Sequence, residues 1–203
     1  MTTMKFRPAM PEEVALPKRR ELLAGDETLR GIVFQSVDRA IEKVLGPDAM
    51  AAAKEAAGIG DQKHDAMSKY PMADFLRYEE EAARLMATAA GGFDEAVHRI
   101  GASSVDTFFD SIAGKTMALL AGKDPTRLLG AAPNGYGLLA SYGQRRFRQT
   151  SANTGVFDFT GEYLGPVHNL GTFDTALKLV HGADCTIDLD QKTPLDFSFK
   201  LTW

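Results

Sequence analysis

Four residues at the end of the chain constrain everything before them. Phe197, Phe199, Leu201 and Trp203 alternate with Ser198, Lys200 and Thr202. A period of two with aromatics on one side defines a half-buried strand. Such a strand needs partners along its edges and an apolar layer across its face. Cys185, Ile187 and Leu189 alternate with Thr186, Asp188 and Asp190, and Lys192, Thr193 and Pro194 supply turn chemistry between the two runs. Together they predict a hairpin. Upstream, residues 144–150 and 156–160 flank the turn-like run Ser151-Ala152-Asn153-Thr154-Gly155, a second hairpin. Between the hairpins, Leu170, Phe173, Leu177 and Val180 fall at helical spacing, with Lys178 and His181 near the end and Gly182 as a cap. Residues 141–203 therefore read β-β-α-β-β, with the helix across one face of a four-stranded antiparallel sheet. Burying the terminal indole contributes about 2–3 kcal/mol, so the last strand belongs to the fold.

The preceding sequence is rich in Ala and Met and reads as helices that cover this sheet. Ile32, Val33, Val37, Ile41, Val44 and Leu45 form one stripe, ended by Gly46-Pro47. Residues 48–57 predict a short helix. Tyr70-Pro71 opens the next one, whose buried face is Met72, Phe75, Leu76, Ala83 and Met86, with Glu79, Glu80 and Glu81 as its solvated side. Phe93, Val97, Ile100, Val105, Phe108, Phe109 and Ile112 mark one long helix or two abutting at Gly101. Residues 114–121 predict another. Asp124-Pro125 starts the last, with Pro133-Asn134-Gly135 interrupting it. Pro8, Pro11 and Pro17 suggest an irregular arm over 1–27, with Met4-Lys5-Phe6 as a short strand. The expected organisation is an α+β domain over 28–203, its N-terminal helical part (28–140) packed on a C-terminal sheet part (141–203).

Several functional classes lack support. The net charge of -4 gives no global electrostatic reason to bind nucleic acid or an anionic membrane. No apolar run is long enough for a membrane span, and the N-terminus lacks the apolar core of a signal peptide, so a cytoplasmic location is expected. A single cysteine excludes an intrachain disulfide, and its place on the apolar side of a strand predicts an inert thiol. His64, His98, His168 and His181 show no metal-ligand spacing, so no metal is expected. Gly114-Lys115-Thr116 lacks the upstream glycine and strand of a phosphate loop. Ser141 and Ser151 lack the Gly-x-Ser-x-Gly context of an activated nucleophile. No catalytic residue emerges, and the chain reads as a non-enzyme.

Two polar features stand out. His168 lies in Gly165-Pro166-Val167-His168-Asn169, where strand gives way to helix, a kind of junction that often carries function. Capping or packing is the competing role. Arg146 and Arg148 share one face of a strand and could receive a carboxylate or phosphate, or could pair with Asp158 on an exposed sheet face.

Arg30-Gly31-Ile32-Val33-Phe34, Tyr70-Pro71, Gly92-Phe93 through Arg99-Ile100-Gly101, Leu128-Leu129, and Phe157 through Gly171 to Trp203 resemble a myxobacterial family of proteins of this length and of unknown function. The helices with Tyr70-Pro71 and Phe93-x-Glu95-Ala96-x-x-x-x-Gly101, followed by β-β-α-β-β, are more distantly similar to the heme nitric-oxide-binding domain. They are similar too to its relatives, the vinyl-reductase-type domain and the small subunits of the TRAPP complex. That resemblance implies a ligand or lipid held between helices and sheet. It also implies, for a heme-binding member, a histidine in the helical region before the sheet and a Tyr-x-Ser-x-Arg run. Residues 127–139 hold no histidine and residues 157–167 no such run, so heme is not expected, nor any other cofactor.

The reading is a small-molecule- or lipid-binding sensory signalling domain with an apolar pocket between helices and sheet. Its walls would come from Phe108, Phe109, Met117, Tyr136, Tyr142, Phe157, Phe159, Phe173 and Phe199, with Arg146 and His168 as polar contributors. Simple core packing would use the same aromatics. The alternative is a protein–protein interaction subunit, as homodimer or heterodimer, with a filled core and an exposed stripe over 32–45.

Overall fold

The computed structural model describes residues 8–182 and 185–203. The proposed strand at Met4-Lys5-Phe6 lies outside them. The C-terminal third forms β3 (Gln144–Ser151), β4 (Thr154–Thr160), α8 (Gly165–His181), β5 (Thr186–Gln191) and β6 (Phe197–Thr202). The sheet is antiparallel in the order β3-β4-β6-β5. Its register places Phe157 opposite both Phe147 and Phe199, and Phe159 opposite Phe197. These rings stack at the sheet face, with Phe159 and Phe197 centroids 4.5 Å apart. α8 lays Leu170, Phe173 and Leu177 on them. Phe173 meets Phe157 edge-on at 4.8 Å, a favoured geometry for aromatic pairs.

The helical part comprises α1 (Glu12–Glu21), α2 (Gly31–Leu45), α3 (Ala49–Ala56), α4 (Met72–Ala90), α5 (Phe93–Asp110), α6 (Ile112–Ala121) and α7 (Pro125–Leu139). A two-stranded ribbon, β1 (Thr28–Arg30) with β2 (Lys69–Pro71), ties the starts of α2 and α4 together. Tyr70-Pro71 is thus ribbon, with Pro71 capping α4. α5 is one continuous helix through Gly101. α7 likewise continues through Pro133. One lost backbone bond there is outweighed by the burial of Leu128, Leu129 and Gly135.

Three further expectations are corrected. Residues 12–21 are helical and not irregular. Glu12 and Arg19 of α1 are fully buried. Arg19 Nη2 donates to Glu12 Oε2 (2.5 Å) and Nε to the Tyr163 carbonyl (2.9 Å). Glu79 and Glu80 are buried and not solvated. Glu80 is matched by Arg20 and Arg84, each at 2.7 Å. The stripe on α2, assigned to a partner in the alternative reading, is covered by its own chain from Ile32 to Ile41, with Val37 and Ile41 fully buried and Leu45 at its end exposed.

α5 and α8 approach unusually closely. A Cβ at Gly101 would lie 1.9 Å from the His168 carbonyl oxygen, and one at Gly171 would lie 2.0 Å from the His98 carbonyl oxygen. Only glycine permits this crossing. It fixes the height and rotation of α8, and with them the position of His168.

Candidate functional site

Three apolar clusters make up the core. One surrounds Phe34, Phe75 and Ile100 in the helical part, one surrounds the sheet aromatics, and a small one holds Ala121, Leu128 and Val180. They do not quite close on each other. Where they meet lies a cavity of ≈ 120 Å³. Leu29 and Val33 reach it from the first cluster, Leu129, Phe173 and Leu177 from the second, and Phe109, Met117 and Leu128 from the third. An apolar cavity of about 150 Å³ in another protein stays dry and takes up benzene, so this is the size of a small organic guest.

Phe108, Phe109, Met117, Tyr136, His168 and Phe173 line the cavity as expected from the sequence. Tyr142, Phe157, Phe159 and Phe199 do not. The three phenylalanines are spent on the sheet core behind Phe173. Tyr142 packs edge-on against Tyr163 at 5.2 Å. The cavity is walled by helices and β1, and no strand of the four-stranded sheet lines it. Arg146 is exposed on the outer face of β3, away from the cavity. Arg148 pairs with Asp158 at 3.0 Å on the same exposed face. Within this basic cluster the buried side chain is that of Arg145. Its Nη2 meets Glu162 Oε2 at 2.5 Å, and its guanidinium stacks over Tyr136 and Tyr142.

The polar groups on the cavity wall are few. Burial pushes the Tyr136 hydroxyl well above its ordinary range, so it stays protonated and donates to Asn169 Oδ1 (2.5 Å). Thr172 donates its hydroxyl to the carbonyls of Gly101 (3.1 Å) or His168 (3.2 Å). That leaves Ser104 and His168. His168 is buried, and its Nδ1 lies 2.5 Å from Glu79 Oε1. With Nδ1 engaged by that carboxylate, Nε2 is the ring nitrogen left for another partner. Its nearest partner among the described residues is Ser104 Oγ at 3.5 Å. The Ser104 hydroxyl has a shorter bond to Ser36 Oγ at 2.9 Å, and Ser36 donates onward to the Val33 carbonyl at 2.6 Å. One under-used ring nitrogen therefore belongs to the wall of a largely apolar cavity.

Sequence reasoning missed Ser104 and Glu79. Glu79 carried a signal, because Met72, Phe75, Leu76, Glu79, Ala83 and Met86 share one helical stripe. Its neighbours Glu80 and Glu81 masked it as part of a charged run. Ser104 offers no comparable signal.

This architecture is similar to that of H-NOX domains. An H-NOX protein from S. oneidensis, solved in the Fe(II)NO ligation state, superposes with a TM-score of 0.69 at 11% identity, covering 85% of this chain and 98% of that one. The Fe(II) unliganded H-NOX protein from K. algicida gives 0.65 at 14% identity, covering 86% and 96%. An oxygen-binding H-NOX domain related to soluble guanylate cyclases gives 0.63 at 10% identity, covering 85% and 93%. At such identities the likeness is one of fold. By sequence, the chain belongs to the family described as "Protein of unknown function (DUF2378)", which matches residues 23–203. No curated protein sequence matches it.

The fold raises the question of heme, and the residues present lack the Tyr-x-Ser-x-Arg run and the pre-sheet histidine on α7 that the resemblance implies for a heme-binding member. α7 lines the cavity and carries no histidine. The one histidine on the described wall, His168, stands on α8 and not in the helical region before the sheet. Arg145 is committed to Glu162.

Proposed function

We propose that this protein is a non-enzymatic sensory domain that binds a small, largely apolar molecule without heme. The guest occupies the helix-walled cavity and gives one hydrogen bond to His168 Nε2. The cavity carries this reading: its wall is apolar apart from a few side chains, whose polar atoms, all but His168 Nε2, are already spent on well-made bonds. The fold supports it as well, because the similar solved domains include ones described as bound to nitric oxide and oxygen. An uncharged, mostly apolar guest suits such a wall, since a buried charge would lack a counter-ion. A single donor on the guest satisfies Nε2 and supplies orientation, while apolar contact supplies most of the affinity.

The test uses benzene and phenol as probes on the purified full-length chain. Native mass spectrometry first reports any co-purified compound, and chemical-shift titration then follows both probes. Phenol is expected to bind about tenfold more tightly than benzene, with the preference abolished in His168→Phe. Equal affinity in the native chain, or no shifts at the cavity residues, would refute the anchor. A histidine-ligated absorption band on addition of hemin would refute the reading without heme.

A further inference from the structure

α6 is apolar on both sides. Its inner side packs Gly114 and Ala121 into the protein and sends Met117 into the cavity wall. Its outer side exposes Ile112 (87%), Leu119 (82%) and Leu120 (70%). A surface helix ordinarily keeps its large apolar side chains on the inner face, and α6 does not. Surface leucines scattered singly need no explanation, but these three lie on one ten-residue helix. Lys115, Thr116 and Lys123 are the exposed polar residues among them.

Charge decides what covers this face. The chain has 27 Asp and Glu residues, yet none falls between Ser111 and Lys123. The flanking acids are already matched, Asp110 by Arg39 at 2.6 Å and Asp124 by Arg127 at 3.4 Å. Lys115 and Lys123 make no ion pair among the described residues. The net charge of -4 therefore describes the rest of the surface and not this face. A second copy docking symmetrically would set lysines against lysines around the apolar contact, which disfavours self-association. Leucine and isoleucine bordered by lysine suit the boundary of an anionic bilayer, where side chains enter the acyl region and ammonium groups stay among the phosphates. No helix among the described residues is long and apolar enough to cross a membrane, so the contact is peripheral.

We propose that α6 docks this protein onto an anionic phospholipid surface through Ile112, Leu119 and Leu120, with Lys115 and Lys123 at the headgroups. Docking is independent of what the cavity holds.

The purified full-length chain is floated with vesicles of phosphatidylcholine alone, or of an equimolar mixture with phosphatidylglycerol. Binding to the mixture is expected, and to phosphatidylcholine alone it should be at least about tenfold weaker. L119E/L120E should abolish binding. K115Q/K123Q should weaken it about tenfold and flatten its salt dependence. All four side chains point to solvent, so melting curves should match the native chain. If L119E/L120E does not fold, K115Q/K123Q decides. The proposal fails if the anionic vesicles are not bound or if K115Q/K123Q binds them as the native chain does. It fails equally if sedimentation reveals a dimer that L119E/L120E dissociates while vesicles stay unbound.

Discussion

The α-carbon of Gly101 lies directly against the carbonyl of His168, leaving no room for a methyl group on α5. This contact sets the spacing of the two helices, and so the depth at which the His168 ring meets the cavity.

Gly101→Ala should therefore act on stability and on the cavity together. The added carbon meets backbone and not a flexible side chain, so the helices must part. A loss of about 3 kcal/mol or more is expected in urea denaturation, at the upper end for an overpacked core. A variant as stable as the native chain would mean that α8 shifts without cost.

Glu79 and His168 should be strongly coupled. His168→Leu leaves the Glu79 carboxylate buried with neither oxygen partnered, since Oε2 already lacks a partner among the described residues. The expected cost is about 3 kcal/mol or more. Replacing both, with Glu79→Met and His168→Leu, should recover most of that loss. A double-mutant cycle in urea measures the coupling, and additive effects would deny it.

His64 should make the protein less stable in mild acid. Burial holds its pKa below the ordinary value of 6.5, with Lys54 adding to the effect and Asp38 and Asp74 opposing it. Its ring stacks on Phe34 at 4.1 Å. The unfolded chain takes up a proton below about 6.5 while the folded chain does not. Stability from this site is whole above that pH and declines as pH falls towards the depressed folded value. His64→Phe should flatten part of this decline in denaturation curves collected across pH. Burial lowers His98 in the same sense, so some slope should remain.

Filling the cavity should stabilise the empty protein and exclude its guest. Ala132→Leu adds three carbons to the lining. A gain of about 1 kcal/mol is expected on thermal unfolding, together with a loss of phenol binding. A destabilised variant that still binds phenol would place the guest elsewhere.

The sheet was legible because a period of two leaves few choices once aromatics occupy one side. The hairpin over Ser151–Asn153 and the helix holding Phe173 followed from the same local chemistry. Most other helices were legible from their stripes and glycine stops. What escaped was polar burial. Glu12, Arg19, Glu79 and Arg145 look like surface residues in sequence, and only their partners from distant segments make their burial tolerable. The cavity was half legible. Its aromatics could be named, but which of them face a void depends on how three clusters fail to close, a property of packing and not of pattern. Pro17 and Pro133 argued against helices that tertiary contacts sustain.

α1 has one more consequence. The family match begins at residue 23, whereas the helix that lays Arg19 against the Tyr163 carbonyl and offers Glu12 to the Val167 amide ends before it. The matched segment is therefore smaller than the unit that closes around the head of α8. A chain trimmed to the shared boundary would expose the seat of Leu16 and leave the first turn of α8 without its carboxylate. The matched segment takes part of its shape from a helix that lies outside it.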